Sequence, residues 1–100
     1  MNLDRQPTKG YDAIGNDDNK KYEIKTRKAN SWNKPTKFPI AESQDKAISR
    51  LANTDYIVYV GFDENWKLIE LLKIPSEEVK PNKYGDIVLT AEILKRFSVL

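Results

Sequence analysis

The sequence predicts an α/β (α+β) domain, with a single mixed β-sheet of about five strands flanked by two helices. Three observations carry that expectation. Residues 56–62 (Tyr-Ile-Val-Tyr-Val-Gly-Phe) are a short apolar, β-branched and aromatic run, the mark of a strand buried on both faces. Residues 42–53 and 90–97 space their apolar side chains for one face of a helix. Clusters of Asn, Asp and Gly separate further alternating segments at hairpin distance.

The elements follow in order. Residues 1–9 read as a flexible N-terminal arm, and residues 10–100 as one domain without repeats or linkers. Residues 10–15 and 20–26 read as two strands of a hairpin, because the intervening Asn16, Asp17, Asp18 and Asn19 are strong turn formers. Residues 28–39, with Pro35 and Pro39, read as a polar loop. A helix over 42–53 turns Ala47, Ile48, Leu51 and Ala52 to one side, with Gln44 at the N-terminal end of that stripe. Asp63, Glu64 and Asn65 then join the apolar strand to a partner over 66–74. Residues 75–79 suggest a single helical turn capped by Ser76, and 86–89 a short edge strand. Thr90 reads as the N-cap of a last helix presenting Ile93, Leu94 and Phe97.

Composition narrows the chemistry. The chain has 100 residues, 39% of them hydrophobic and 32% charged, which leaves a modest core in which ten aromatics carry much of the buried area. Without Cys there is no disulfide, thiol nucleophile or thiolate zinc site; without His there is no Ser-His-Asp triad and no imidazole ligand. Catalysis would have to use carboxylates, lysines, hydroxyls or a hard cation held by oxygens. The N-terminus carries no apolar leader and no stretch approaches a membrane span, so a soluble, cytoplasmic protein without a membrane partner is expected.

The net charge of +2 hides an asymmetry. Lys20, Lys21, Lys25, Arg27, Lys28, Lys34 and Lys37 face only Glu23 between residues 20 and 37, whereas eight basic and ten acidic residues follow from 41 onward. Trp32 and Phe38 are interleaved with this basic segment, beside Asn30, Ser31, Asn33 and Thr36. Such a mixture contacts phosphates and stacks on bases, which makes Lys21, Arg27, Lys28, Trp32, Lys34 and Lys37 the candidate nucleic-acid contacts. A solvated loop whose lysines keep the chain soluble is the plainer alternative.

The first hairpin gives a geometric argument. A symmetric turn of two or four residues sets Gly15 opposite Lys20, hence Ala13 opposite Tyr22, Asp12 opposite Glu23 and Tyr11 opposite Ile24. Alternation then places Lys21, Glu23, Lys25 and Arg27 on one face with Asp12, and Tyr22, Ile24 and Tyr11 on the other, which suits a core. Two carboxylates pressed together beside an ammonium require a further cation. Mg²⁺, or Mn²⁺ in its place, meets that need with oxygen ligands, activates a water and stabilises charge on a phosphate. Lys25 could hold the attacking water or neutralise the phosphorus centre. A turn of three or five residues shifts the register and breaks the opposition. A Glu23 that merely bridges Lys21 and Lys25 on a wet sheet face is the competing reading. The Glu78-Val79-Lys80 triplet repeats the pattern without a strand around it and reads as a decoy.

Residues 10–14 (Gly-Tyr-Asp-Ala-Ile) followed by 22–27 (Tyr-Glu-Ile-Lys-Thr-Arg) resemble the core of the PD-(D/E)xK nuclease superfamily, the restriction-endonuclease-like group. The resemblance covers roughly residues 10–62, the second half only in the order of its elements. It implies a restriction-endonuclease-like core and an Mg²⁺-dependent endonuclease hydrolysing phosphodiester bonds, with DNA as the expected partner. By it, Asp12 and Glu23 hold the metal and Lys25 is the catalytic lysine. Gln44 corresponds to a supporting glutamine on the helix of some members, although Ile48 rather than Tyr stands four residues on. The family has a helix before its first strand, often with another acidic residue, and nine residues precede Gly10. The resemblance therefore implies that the chain is a fragment, that a partner supplies the helix, or that the chain is a reduced and inactive relative. The alternatives kept beside it are a non-catalytic nucleic-acid-binding module and a dimerising interaction domain built on the aromatic strands and the apolar C-terminus.

Overall fold

The structure is a computed structural model that describes residues 3–5, 13–15, 19–30, 32 and 34–100. In chain order its elements are β1 (Leu3–Arg5), β2 (Ala13–Gly15), β3 (Lys21–Lys28), β4 (Lys37–Pro39), α1 (Gln44–Ala52), β5 (Tyr56–Phe62), β6 (Leu68–Pro75), a 3-10 turn (Ser76–Glu78), β7 (Asp86–Val88) and α2 (Ala91–Phe97). The main sheet has five strands in the order β1-β2-β3-β5-β6, and β4 and β7 form a second, two-stranded sheet. Only the β3–β5 pair is parallel among the pairs of the main sheet, with α1 on the crossover between them. The mixed α+β class expected from the sequence is the class observed. Among the described residues, no helix is long and apolar enough to cross a membrane.

The first hairpin adopts the symmetric register. The Gly15 amide donates to the Lys20 carbonyl at 2.8 Å, and Ala13 pairs with Tyr22 and Ile14 with Lys21. Asn19 closes the turn at φ 57°, a left-handed conformation that asparagine tolerates. Asp12, which the same register would set beside Glu23, lies outside the described residues, as does Tyr11.

Three expectations need correction. The segment 1–9, read as an arm, contributes β1, which pairs antiparallel with β2 (Leu3↔Gly15, Asp4↔Ile14, Arg5↔Ala13). The free edge of β2 offers unpaired backbone groups to any extended segment, and three residues are too few for a periodic pattern to announce. The polar loop 28–39 ends in β4, where Phe38 is fully buried and stacks on Tyr59 with ring centroids 5.2 Å apart. Phe38 is thereby a core residue rather than a base-stacking one. Ser76 does not cap the 3-10 turn; its hydroxyl donates to the Thr54 carbonyl, and Pro75 occupies the N-cap position.

The β3 face of Tyr22 and Ile24 packs into a hydrophobic cluster as expected, but the face of Glu23 and Lys25 is roofed as well. The larger core joins Phe38, Ile40, Ala47, Leu51, Ile57, Tyr59, Leu72, Ile74, Ile87 and Leu89, with Ile93, Leu94 and Phe97 of α2 packed against it. Glu23 and Lys25 pair across the ladder with Ile57 and Tyr59 and so face this core, beneath α1. Tyr22 and Val58 form a smaller cluster on the opposite face, where Tyr22 stacks on Tyr56 at 5.6 Å and Lys73 lies over both rings. Alternation along β3 was legible, but α1 settles which side carries the larger core. Elsewhere Ser43 caps α1 by accepting from the Lys46 amide, and Thr90 caps α2 by accepting from that of Ile93. The outer edge of β6 is partly covered by the C-terminus, through an isolated bridge from Leu72 to Ser98 and a bond from the Val99 amide to the Leu71 carbonyl.

Two stability predictions arise from this packing. Gly85 sits at φ +82°, and a Cβ built there would lie 2.4 Å from the Ala41 carbonyl oxygen and 2.7 Å from that of Ser43. Its carbonyl also accepts the amides of Ile40 and Ala41, so the loop cannot simply move away. Gly85→Ala should cost about 2–3 kcal/mol in urea unfolding, combining left-handed strain with displacement of the α1 entry. Tyr59 is fully buried, and its hydroxyl has no hydrogen-bond partner. Burial first, then the Glu70 carboxylate, push its phenol above the usual value, with Arg27 acting in the opposite direction. The folded state thus favours the protonated phenol, and stability is complete below about pH 10 and falls as the unfolded chain ionises first. Tyr59→Phe should flatten that alkaline loss, and at neutral pH be neutral or stabilising by up to about 1 kcal/mol. Parallel urea titrations at pH 7 and in the alkaline range check both.

Candidate functional site

The site is built where β3 passes under α1. Glu23 and Lys25 lie two residues apart on β3 and so share its roofed face. Arg50 reaches them from the last turn of α1, three residues after buried Ala47 and one before buried Leu51. Lys21 and Asp55 fix the strand starts, the Lys21 amide donating to Asp55 Oδ2 at 2.8 Å and the Asp55 amide to the Lys21 carbonyl at 2.8 Å.

Glu23 is 0% exposed, and its carboxylate lies between two cations. Arg50 Nε donates to both oxygens, at 3.0 Å to Oε1 and 2.9 Å to Oε2, and Lys25 Nζ is 3.1 Å from Oε1. An isolated ionised carboxylate at this depth would be costly, and charge-assisted bonds from both sides offset that cost. The cations are the accessible members: the side chain of Lys25 is 22% exposed and that of Arg50 33%. The arrangement is a buried anion with a wet, cationic rim.

Beside Arg50 an open groove of about 430 Å³ runs along α1, lined by Ile40, Ala41, Glu42, Lys46, Ser49, Arg50 and Asn53. Lys46 pairs with Glu42, and this hydrogen bond holds the Glu42 carboxyl below its usual range.

The remaining sequence candidates are distributed differently. Gln44 is on the far side of α1: its amide donates to the Pro81 carbonyl at 3.1 Å and borders an apolar groove with Ile48, Leu51, Val79 and Pro81. Its partner is thus Pro81, whereas Arg50 of the same helix is the residue bonded to Glu23. Lys21, Lys28 and Lys34 are exposed, and Arg27, half-buried, donates to the Thr26 carbonyl at 3.0 Å. Trp32 is 89% exposed, its amide held by Asn30 Oδ1. Lys37 is 3.6 Å from Asp86, a rim ion pair that leaves it mostly exposed. Lys28 lies over the ring of Trp66, 4.6 Å from the centroid, and Trp66 packs against Phe62. The Glu78-Val79-Lys80 decoy sits at the end of the 3-10 turn, where Glu78 pairs with Arg96.

No protein-family model matches this chain, and no curated protein does.

Among the described residues, no group of three or more His, Cys, Asp or Glu side chains is placed to hold a metal ion. Glu23 is the one sequence-nominated metal ligand that falls within them. Arg50 is the functional candidate that sequence reasoning missed. Its available signal was position, since it borders the buried Ala47–Leu51 stripe of the helix that follows a Glu-x-Lys strand.

Proposed function

We propose that the chain is a metal-dependent nuclease domain of restriction-endonuclease-like type, hydrolysing phosphodiester bonds of nucleic acid, with DNA as the expected substrate. One observation carries this reading: Glu23 and Lys25 meet at 3.1 Å on the α1 side of β3, with the carboxylate buried and the ammonium reachable. The hairpin register and the parallel β3–β5 crossover add to it.

Glu23 brings one carboxylate of the kind Mg²⁺ or Mn²⁺ takes, but its oxygens are met by Arg50 and Lys25, so a cation would have to share or displace one of them. Glu23 and Asp12 would hold it, and it would supply an activated water and charge neutralisation at the phosphate. In this reading Glu23 also orients Lys25 through their contact. Lys25 presents a preorganised ammonium to a water or a phosphate oxygen at the rim. Lys21, Arg27, Lys28, Trp32, Lys34 and Lys37 would grip the nucleic-acid backbone, giving an affinity that falls steeply with salt.

The closure of Arg50 on Glu23 favours a second reading, a nucleic-acid-binding module without catalysis. Titration of the isotope-labelled protein with Mn²⁺ separates the two. Amide broadening centred on residues 23–25 and the segment before Ala13 is expected for the nuclease. Broadening spread over all surface acids, together with salt-dependent DNA affinity that survives Glu23→Gln, would leave only the binding module.

A further inference from the structure

We propose that Trp66, with Lys28 beside it, is a stacking platform for an unpaired base of single-stranded nucleic acid. The inference deepens the nucleic-acid part of the proposed function and rests on it, but it uses none of the groups around Glu23. Trp66 lies in the turn between β5 and β6. Asp63 Oδ1 fixes that turn by accepting the amides of Asn65 and Lys67. The Asp63 amide donates to the Lys67 carbonyl, and the Trp66 amide to the Asp63 carbonyl. Trp66 sits in this turn at φ 65°, in the left-handed region that glycine or asparagine occupies at little cost and a bulky side chain does not. The other non-glycine residue with positive φ among the described residues is Asn19, whose side chain suits such a backbone.

Burial does not explain the strain. Trp66 is 62% exposed, and its ring meets Phe62 at an inclined angle with centroids 5.7 Å apart. The Lys28 ammonium lies 4.6 Å from the centroid. The strained turn therefore holds an indole and a cation out in water. The neighbourhood repeats the theme. Lys28 ends β3, and the Ala29 amide donates to the Phe62 carbonyl at 2.7 Å, so the chain leaving β3 starts beside this turn. Trp32, 89% exposed, follows within about 11 Å of chain from Ala29. Of the acids in the turn, Asp63 is engaged by backbone amides and Glu64 is exposed, so phosphate contact falls to Lys28. An unpaired base offers the indole a π-face, and its phosphate offers the ammonium an anion in place of the ring. A neutral ligand stacked on the indole would leave that ammonium without an anion. Bases within a duplex present their edges and not their faces, so the platform selects single strands.

The test measures binding of a labelled oligothymidylate of about twelve nucleotides, and of a blunt duplex of equal length, to the full chain in EDTA. Trp66→Gly should weaken single-strand binding by about 5- to 100-fold and leave duplex binding within about twofold. Trp66→Tyr keeps an aromatic face and should retain most of the affinity. The urea midpoint of Trp66→Gly should stay close to that of the wild type, because glycine releases the left-handed strain. Should Trp66→Gly fail to fold, the Trp66 indole resonances of the wild type supply the same answer. They should shift as the oligothymidylate saturates, and unmoved resonances overturn the proposal. Equal single-strand affinity in wild type and Trp66→Gly overturns the platform and leaves the nucleic-acid reading standing. Equal loss for single strand and duplex overturns the stacking in the same way. Absence of binding to either oligonucleotide in every protein overturns both.

Discussion

Arg50→Ala is expected to destabilise the fold by about 2–4 kcal/mol, a large share of what a domain of this size has. The loss comes less from the missing bonds than from what remains: the Glu23 carboxylate, 0% exposed, would retain Lys25 as its ion-pair partner among the described residues. Breaking a buried pair from one side usually costs about 3–5 kcal/mol, and the lower range here reflects the surviving Lys25 and the partial exposure of Arg50. A double-mutant cycle decides whether the cost is that of a stranded charge. Glu23→Leu with Arg50→Met replaces the pair by apolar groups of similar volume, next to Ile57 and Leu51, and should recover most of the loss. Chemical denaturation of the four proteins gives the coupling directly. If the double variant is as unstable as Arg50→Ala, the pair is a packing element and its buried charge is incidental. If stability returns, the fold does not need the ionic triad, which strengthens the case that it serves a function.

What the sequence disclosed and what it hid divide along a physical line. Local chemistry was readable. Asn16, Asp17, Asp18 and Asn19 marked a turn between two strands, and of the registers left open the symmetric one, pairing Ala13 with Tyr22, is adopted; the apolar run over Tyr56–Phe62 announced a central strand; Thr90 capped the helix it was expected to cap. Non-local contacts were not. β1 and β4 are three residues each, too short for any period, and exist because an open strand edge and β7 respectively offered backbone partners. Both faces of β3 meet hydrophobic clusters, and which of them carries the larger one depends on where α1 lies, a choice to which period-2 alternation is blind. The same reasoning explains the site. Glu23 and Lys25 were visible as a pair because strand geometry puts i and i+2 on one face. Arg50, 27 residues downstream, was not singled out, because only the parallel crossover brings it over the strand. Gln44 was chosen by likeness of position on the same helix, and the helix turns it toward Pro81 instead.

If the chain is the nuclease proposed above, Lys25→Ala should remove about two to three orders of magnitude of phosphodiester cleavage while leaving the fold and most of the nucleic-acid affinity in place. The separation is possible because of how Lys25 sits. It contributes one of the contacts to Glu23, at 3.1 Å, while Arg50 continues to span both oxygens, so the carboxylate stays paired after the truncation. The lysine side chain is 22% exposed, and its loss should cost about 1 kcal/mol or less. In the proposed function Lys21, Arg27, Lys28, Lys34 and Lys37 would still hold the backbone, so affinity at fixed salt should fall by the share of one phosphate contact, with the salt slope reduced by about one unit. Single-turnover cleavage of a duplex and a single-stranded oligonucleotide, with binding measured on the same samples in Ca²⁺, reads both quantities. Cleavage by the wild type that persists undiminished in Lys25→Ala would sink the assigned role. Loss of binding in proportion to cleavage would show that the ammonium grips substrate rather than stabilising charge that develops in the reaction, because only an interaction stronger in the transition state than in the bound complex changes the rate of a saturated enzyme.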